Sequence, residues 1–419
     1  MKPFKKYASA LRDEVRNWAK SIGDLDILVG VPSFNNEDTI RHVLEMIGKG
    51  LEEHFSGANT AIFVSDGGSL DDTREVAESA EMPPGVHRKV AIYRGMPGKG
   101  TSFRAVFELV RLCKADACLV FDADLRSITP EWVKKMADPL VQKKADFVTP
   151  YYVRHKYDGT ITNHIVYPTT RALYGKDVRQ PIGGDFAFTG ELAAFYANQD
   201  VWLTDVAQFG IDIWMTTCAI NEGYRIVQAN LGVKIHDSKD PSEDLGPMFR
   251  QVISTMFFLM GQYEENWKAL PSIEPVPVLY DLGEQPKIPP VSVTIHKLKQ
   301  EFLDGFEHFD PMYQQVLDTT NYQGLKACYR KLKKSGKFDL QAELWSRVIY
   351  DFAFTYQSWT RNRRRLVDII TPLYFGRVGT YCMEVADMSD AEAEQVIQRQ
   401  AEIFERNREY LVNLFQVWE

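Results

Sequence analysis

Cysteine is scarce and scattered in this chain: five residues among 419, at Cys113, Cys118, Cys218, Cys328 and Cys382. The number is odd, the spacing is wide and no CxxC pair occurs, so neither a zinc knuckle nor a disulfide framework is indicated. Cys118 sits inside an apolar run and reads as a small buried hydrophobe. A reducing cytoplasm is the expected compartment. Long clean apolar runs are missing too: Val252–Met260 is too short to span a bilayer, and Leu366–Val385 is broken by Asp368, Arg377 and two glycines. Met1 to Lys20 alternates charged and apolar residues without a signal-peptide core, so a soluble chain with no transmembrane segment is expected. Excess positive charge is absent: the formal net charge is −8, which argues against a general nucleic-acid binder. No G-x-G-x-x-G follows the first apolar run, and the glycine that a P-loop needs at position 93 is Tyr93. Dinucleotide oxidoreductases and P-loop enzymes are thereby disfavoured. Internal repeats and low-complexity tracts are lacking.

What is present is a regular alternation. After a helical lead-in over 1–24, apolar strands are expected at 26–32, 61–65, 89–93, 117–121 and 147–150, separated by helices. One amphipathic helix opens at Asn36–Thr39 and runs to about Leu51, and another covers about Thr101 to Cys113. This order predicts an α/β fold with a doubly wound, mostly parallel sheet. From there to about Arg250 the chain reads as short strands and polar loops. Tyr280 to Pro290 reads as a linker, and a helical C-terminal region follows over 291–419. In it Ser389–Glu392 forms a capping box, opening a helix to about Val417. The domain expectation is therefore 1–24, then 25–280 (with its first half ending near 150), then 291–419.

Successive βα loops of a parallel sheet emerge on one side, where such folds bind ligands. Four of them carry polar groups here: Pro32-Ser33-Phe34-Asn35-Asn36-Glu37, Asp66-Gly67-Gly68-Ser69, Pro97-Gly98-Lys99-Gly100 and Asp122-Ala123-Asp124. Asp66 can accept hydrogen bonds from a base or ribose. Lys99 stands at a helix N-terminus, which suits a phosphate. Asp122 and Asp124 repel each other, so a positive group is expected beside them, and a divalent Mg²⁺ or Mn²⁺ carrying a diphosphate fits. The alternative is an Asp-rich turn capping the helix that starts at Thr129-Pro130-Glu131.

The order of these motifs resembles the nucleotide-sugar half of family-2 glycosyltransferases of the GT-A, Rossmann-like fold. Within them it is most similar to the retaining enzymes that make glucosyl-3-phosphoglycerate, mannosylglycerate or glucosylglycerate. The similarity covers about residues 25–255, and Pro97–Gly100 and Asn230–His236 are its more specific parts. The resemblance implies that Pro32, Ser33, Asn35, Glu37 and Asp66 line the base and ribose pocket. It implies Gly98 and Lys99 near the donor phosphates, Asp122 and Ala123 near the ribose or sugar, and Asp124 with His236 as metal ligands. It also places Asp212 near the reacting sugar. His236 alone would read as a surface histidine in a turn, Asp185 as a helix cap and Asp212 as a helix start. Trp214 reads as core rather than a sugar platform.

In the phosphoglycerate enzymes a Gly-rich loop supplies an arginine beside a threonine. The comparable stretch here is 158–163, where Ile161 takes the arginine's place while Thr160, Thr162 and Asn163 offer hydrogen bonds. With Asp185 these form the expected acceptor set, and the expected acceptor is unphosphorylated D-glycerate. Arg154, Arg171 and Arg179 keep 3-phosphoglycerate open as an alternative. The implied reaction is transfer of glucose or mannose from a UDP- or GDP-linked donor with retention, giving a compatible solute. Lys99 would assist the leaving group, and Asp212 or Asp185 would position the acceptor hydroxyl. An inverting family-2 polysaccharide transferase is the nearest rival, followed by a nucleotidyltransferase and a non-catalytic scaffold. A homodimer is expected. Tyr374–Arg377 either reaches back over the acceptor or packs between helices, and Arg361–Arg365 reads as a solvated face.

Overall fold

The fold is described from a computed structural model covering residues 9–236, 246–270, 272–281 and 287–416. The start of the expected lead-in (1–8), the acidic loop after His236, part of the linker (282–286) and the helix end at Val417 lie outside the described residues. The chain divides into two compact units.

The first unit comprises Met1–Val153, Ile182–Asp237 and Val276–Lys287. Its strands are β1 (Ile27–Ser33), β2 (Thr60–Asp66), β3 (Val86–Ile92), β4 (Ala117–Val120), β5 (Phe147–Val153), β6 (Phe186–Thr189), β7 (Ile226–Val233) and β8 (Val278–Leu279). They form one sheet in the order β8-β7-β5-β6-β4-β1-β2-β3. Only β6 runs antiparallel, between β4 and β5. Helices α1 (Asp13–Ile22), α2 (Ile40–Phe55), α3 (Thr73–Ser79), α4 (Lys99–Leu112), α5 (Pro130–Val141), α6 (Gly190–Ala197) and α7 (Ile211–Asn221) flank the sheet. β2 and β4 are buried along their whole length, as strands covered on both faces must be, which is why Ala61–Val64 and Ala117–Val120 read as continuous apolar runs.

Register fixes where the motifs emerge. Ser33 pairs with Asp66 at the ends of β1 and β2, Gly30 pairs with Val120 at the end of β4, and Phe121 N–H still donates to the Gly30 carbonyl at 3.1 Å. Asp122 therefore leaves the sheet on the same edge as Ser33 and Asp66.

The expected strands and helices are present, with shifted ends. α2 continues one turn past Leu51, β3 starts three residues early, and α4 begins at Lys99 itself. The stretch read as short strands and loops also contains α6 and α7. From Ile211 to Ile220 every residue of α7 is buried, so there is no polar face and no 3.6-residue period to detect.

The second unit comprises Arg154–Pro181, Ser238–Pro275 and Ile288–Glu419. Segments 154–181 and 238–275, placed inside the 25–280 domain from the sequence, thus cluster with the C-terminal helices. These include Ile295–Val316, Thr319–Ser335, Ala342–Ser358, Ile370–Glu384 and Asp390–Arg406. The capping box at Ser389 forms as expected, but the helix it opens stops at Arg406 and a separate helix covers Arg408–Gln416. No helix among the described residues is long and apolar enough to cross a membrane.

The Gly98-Lys99-Gly100 sequence has a packing cause. The chain 206–208 crosses the start of α4 so closely that Gly100 N–H donates to the Gln208 carbonyl at 3.1 Å. A Cβ on Gly100 would overlap the Val206 carbonyl oxygen, and one on Gly98 would lie 2.6 Å from the Ala207 oxygen. Gly100→Ala is accordingly expected to lower unfolding stability by about 1–3 kcal/mol, the usual cost of overpacking. An unchanged denaturation midpoint would contradict that packing.

Candidate active site

The sequence-predicted residues of the first unit gather at the carboxyl edge of the sheet. Asp122 carries two ammonium groups: Lys99 Nζ at 2.8 Å on Oδ1 and Lys234 Nζ at 3.1 Å on Oδ2. Lys99 also reaches Asp212 Oδ2 at 3.4 Å. Lys234 also reaches Asp185 Oδ2 at 2.9 Å and donates to the Gly183 carbonyl at 2.9 Å. The result is a row of alternating charge, Asp185–Lys234–Asp122–Lys99–Asp212. Asp185, fully buried, accepts the Asp122 N–H at 2.8 Å and the Tyr152 hydroxyl. Gly184 beside it has φ +90°, and a side chain there would overlap Asp122 Oδ2. Only glycine lets this turn close over the network.

Asp124 lies next to the row, with Oδ2 4.0 Å from His236 Nδ1. Four carboxylates thus face two lysines, leaving the edge at Asp124 and His236 net negative. One carboxylate oxygen and one imidazole nitrogen form a donor set that suits a divalent cation. Among the described residues no group of three or more His, Cys, Asp or Glu is placed to hold a metal, so an ion here needs further ligands from elsewhere.

Burial would depress the Lys99 ammonium, but Asp122 and Asp212 push it above its ordinary range, so it stays charged. Burial would raise the Asp122 carboxyl, but Lys99 and Lys234 hold it below the usual range. Asp124 is raised by burial and by the charge of Asp122. Asp212 is raised by burial, with Lys99 pulling the other way. Oδ1 of Asp212 is buried and has no hydrogen-bond partner in the structure.

The β1 and β2 loops are stitched together rather than open. Asp66 is fully buried and accepts from Ser33 Oγ (2.9 Å), Gly68 N (2.8 Å), Ser69 N (2.8 Å) and Ser69 Oγ (2.6 Å). Asn35, at φ +54°, accepts from Leu70 N, and Glu37 accepts from Asp72 N. Pro32, next to the end of β1, pairs with Ser65, and the Ala123 carbonyl accepts from Thr39 Oγ1. These residues therefore shape the loop edge through contacts with one another.

Thr160, Thr162 and Asn163 lie in the second unit and are buried there. Thr160 Oγ1 bonds the Tyr374 hydroxyl, and Asn163 accepts from Arg179 and donates to the Asp158 carbonyl. Trp214 is core, 1% exposed, and packs on Tyr196 and Trp202. Arg361–Arg365 are exposed. Two residues escaped sequence reasoning: Lys234 and Tyr152. Lys234 stands two residues before His236, where side chains of an extended segment share a face. That spacing was the available signal.

Residues 28–201 match the family model described as Glycosyl transferase family 2. This stretch is a family-2 glycosyltransferase domain of the GT-A fold, and its activity class is glycosyl transfer. No curated protein matches the chain. Among solved structures, glucosyl-3-phosphoglycerate synthase from Mycobacterium tuberculosis in complex with Mg²⁺ and uridine diphosphate is 26% identical. That match covers 59% of this chain and 83% of that one at a TM-score of 0.45. The same enzyme with Mn²⁺, uridine diphosphate and phosphoglyceric acid is 25% identical, covering 61% and 85%, also at 0.45. A structure described only as a mycobacterial protein is 28% identical, covering 59% and 78%, at 0.44.

The network makes two stability predictions. Lys234 is nearly buried and serves two carboxylates, so Lys234→Met should cost about 3–5 kcal/mol, as for a broken buried pair; a variant as stable as the parent would contradict its role. Asp124 has the opposite sign. A carboxyl raised on folding opposes the folded state once pH exceeds its folded value, and that cost vanishes below the unfolded value near 3.8. In chelator-treated protein Asp124→Asn should therefore raise the unfolding temperature at pH 7 but not near pH 3. Equal shifts at both pH values would contradict the placement.

Proposed function

We propose that this chain transfers glucose or mannose from a UDP- or GDP-linked donor to D-glycerate, with retention of anomeric configuration. The observation that carries the reading is the alternating row Asp185–Lys234–Asp122–Lys99–Asp212 at the sheet edge, beside Asp124 and His236. A leaving diphosphate accumulates negative charge as its bond to the sugar anomeric carbon breaks, and preplaced cations there lower the barrier. Lys99 is held charged, and both lysines are held in position, by the carboxylates they serve. Asp124 and His236 would hold a Mg²⁺ or Mn²⁺ ion, which supplies further positive charge to the diphosphate.

Among the described residues no carboxylate is set apart as a nucleophile. The acceptor hydroxyl therefore attacks from the face the diphosphate leaves, its oxygen bonding to the anomeric carbon while its proton passes to the departing oxygen. The unsatisfied Oδ1 of Asp212 supports a role in holding that hydroxyl. Asp185 gives its oxygens to Tyr152, Lys234 and the Asp122 amide, which supports a positioning role for it.

The unphosphorylated acceptor is supported by the arginines near the 158–163 loop in sequence. Arg154 pairs with Asp158 at 3.3 Å, Arg171 with Glu405 at 3.8 Å and Arg179 with Glu394 at 2.8 Å. Each already faces a carboxylate, and a phosphate would have to displace it. Ile161, 4% exposed, is apolar core.

The deciding experiment offers D-glycerate and 3-phosphoglycerate, each with UDP- and GDP-linked glucose and mannose, in the presence of Mg²⁺. Transfer to D-glycerate alone is expected. Transfer to 3-phosphoglycerate alone would overturn the acceptor assignment and leave glycosyl transfer standing. Turnover that survives Asp124→Asn undiminished would overturn the metal site, since loss of one such electrostatic element costs roughly 100- to 1000-fold.

A further inference from the structure

The Tyr374–Arg377 segment leaves one buried charge without an evident structural need. Arg377 lies in the Ile370–Glu384 helix of the second unit and is 1% exposed. Its Nε donates to Gln400 Oε1 at 2.8 Å and its Nη1 to the Leu340 carbonyl at 3.1 Å. Both acceptors are neutral, and no carboxylate among the described residues lies within 4.0 Å of it. A guanidinium buried against dipoles alone is costly. Burial pushes it down to about 10, with Glu384 and Glu343 acting from further off to hold it up.

Arg377 also lines a cavity of about 340 Å³ built wholly from this unit. The same cavity is bordered by Arg399 and Arg406, exposed residues two turns apart on the Asp390–Arg406 helix. Its third wall is the start of the Ala342–Ser358 helix, 17 residues long, whose Gln341 N-cap makes no side-chain cap. First-turn N–H groups and the helix dipole both favour negative charge at such an end. Three carboxylates, Glu343, Glu384 and Glu402, stand at the exposed border. The buried charge is cationic and the carboxylates are solvated, so the floor of the cavity is positive. The rim disfavours a highly charged ligand. The size is at the small end of metabolite sites.

We propose that this cavity is a binding site for a compact oxyanion, a carboxylate or phosphate group of a small metabolite, seated on Arg377 with Arg399 and Arg406 closing around it. The site stands apart from the transfer chemistry and does not depend on the acceptor assignment. Its ligand stabilises the second unit by supplying the counter-charge that Arg377 lacks.

The test is thermal unfolding of the full chain titrated with inorganic phosphate or with acetate, against sodium chloride at matched ionic strength. The unfolding temperature of the parent should rise by a few degrees in a saturable way with at least one of the two, and which one identifies the group. Arg377→Met should abolish the rise while being at least as stable as the parent without anion, because it removes an uncompensated charge. Should that variant fold poorly, the Arg399→Ala/Arg406→Ala double variant, altered only at exposed positions, should weaken the apparent affinity about tenfold or more. No rise beyond the chloride control would overturn the proposal. So would a rise that persists unchanged in these variants.

Discussion

Three carboxylates, Asp122, Asp185 and Asp212, converge in a space largely closed to water, and the molecule holds them there with only two lysines. Buried charge of one sign is unstable unless met by the other. Lys99 and Lys234 meet it by each serving two acids. Asp122 offers one oxygen to each lysine and is the hub, and its carboxyl is held below the usual range. Asp124, two residues on, has no lysine within ion-pair distance among the described residues, and its carboxyl is raised. That imbalance leaves the edge of the network facing His236 unneutralised, where the proposed function seats a cation.

The rest of the first unit serves this arrangement. Parallel pairing of β1 with β2 and β4 brings the strand ends level. Glycines at 98 and 100 let the chain 206–208 lie against the start of α4, which sets Lys99 facing Asp212 in the first turn of α7. Gly184 lets the turn before β6 fold over Asp122, so that Asp185 reaches back to its amide. Asp66, saturated by two hydroxyls and two N–H groups, fixes the β2 loop against the β1 loop. The polar groups of the loop edge are spent on one another.

Much of this was legible in the sequence. Strands β1, β2 and β4 stood out because buried parallel strands are written in continuous apolar residues, and the acidic triplet stood out because it ends one of them. The place of Lys99 at the start of a helix was legible from its glycines, although those glycines turned out to answer to the backbone at 206–208. Lys234 was not, because a lysine after a strand usually marks solvent, and only the spatial neighbours Asp122 and Asp185 reveal it as buried. Helix α7 was hidden by its complete burial, which erases the periodic signal. Likewise the grouping of residues 154–181 with the C-terminal helices follows from long-range packing that no local pattern encodes.

The lysine pair is proposed as the electrostatic seat of a diphosphate, and calorimetric titration with uridine and guanosine diphosphates tests this most directly. Binding of at least one of them should require Mg²⁺ or Mn²⁺ and should weaken at least tenfold in Lys99→Met, provided circular dichroism shows that variant folded. Metal-independent binding, or equal affinity in the folded variant, would contradict the central claim.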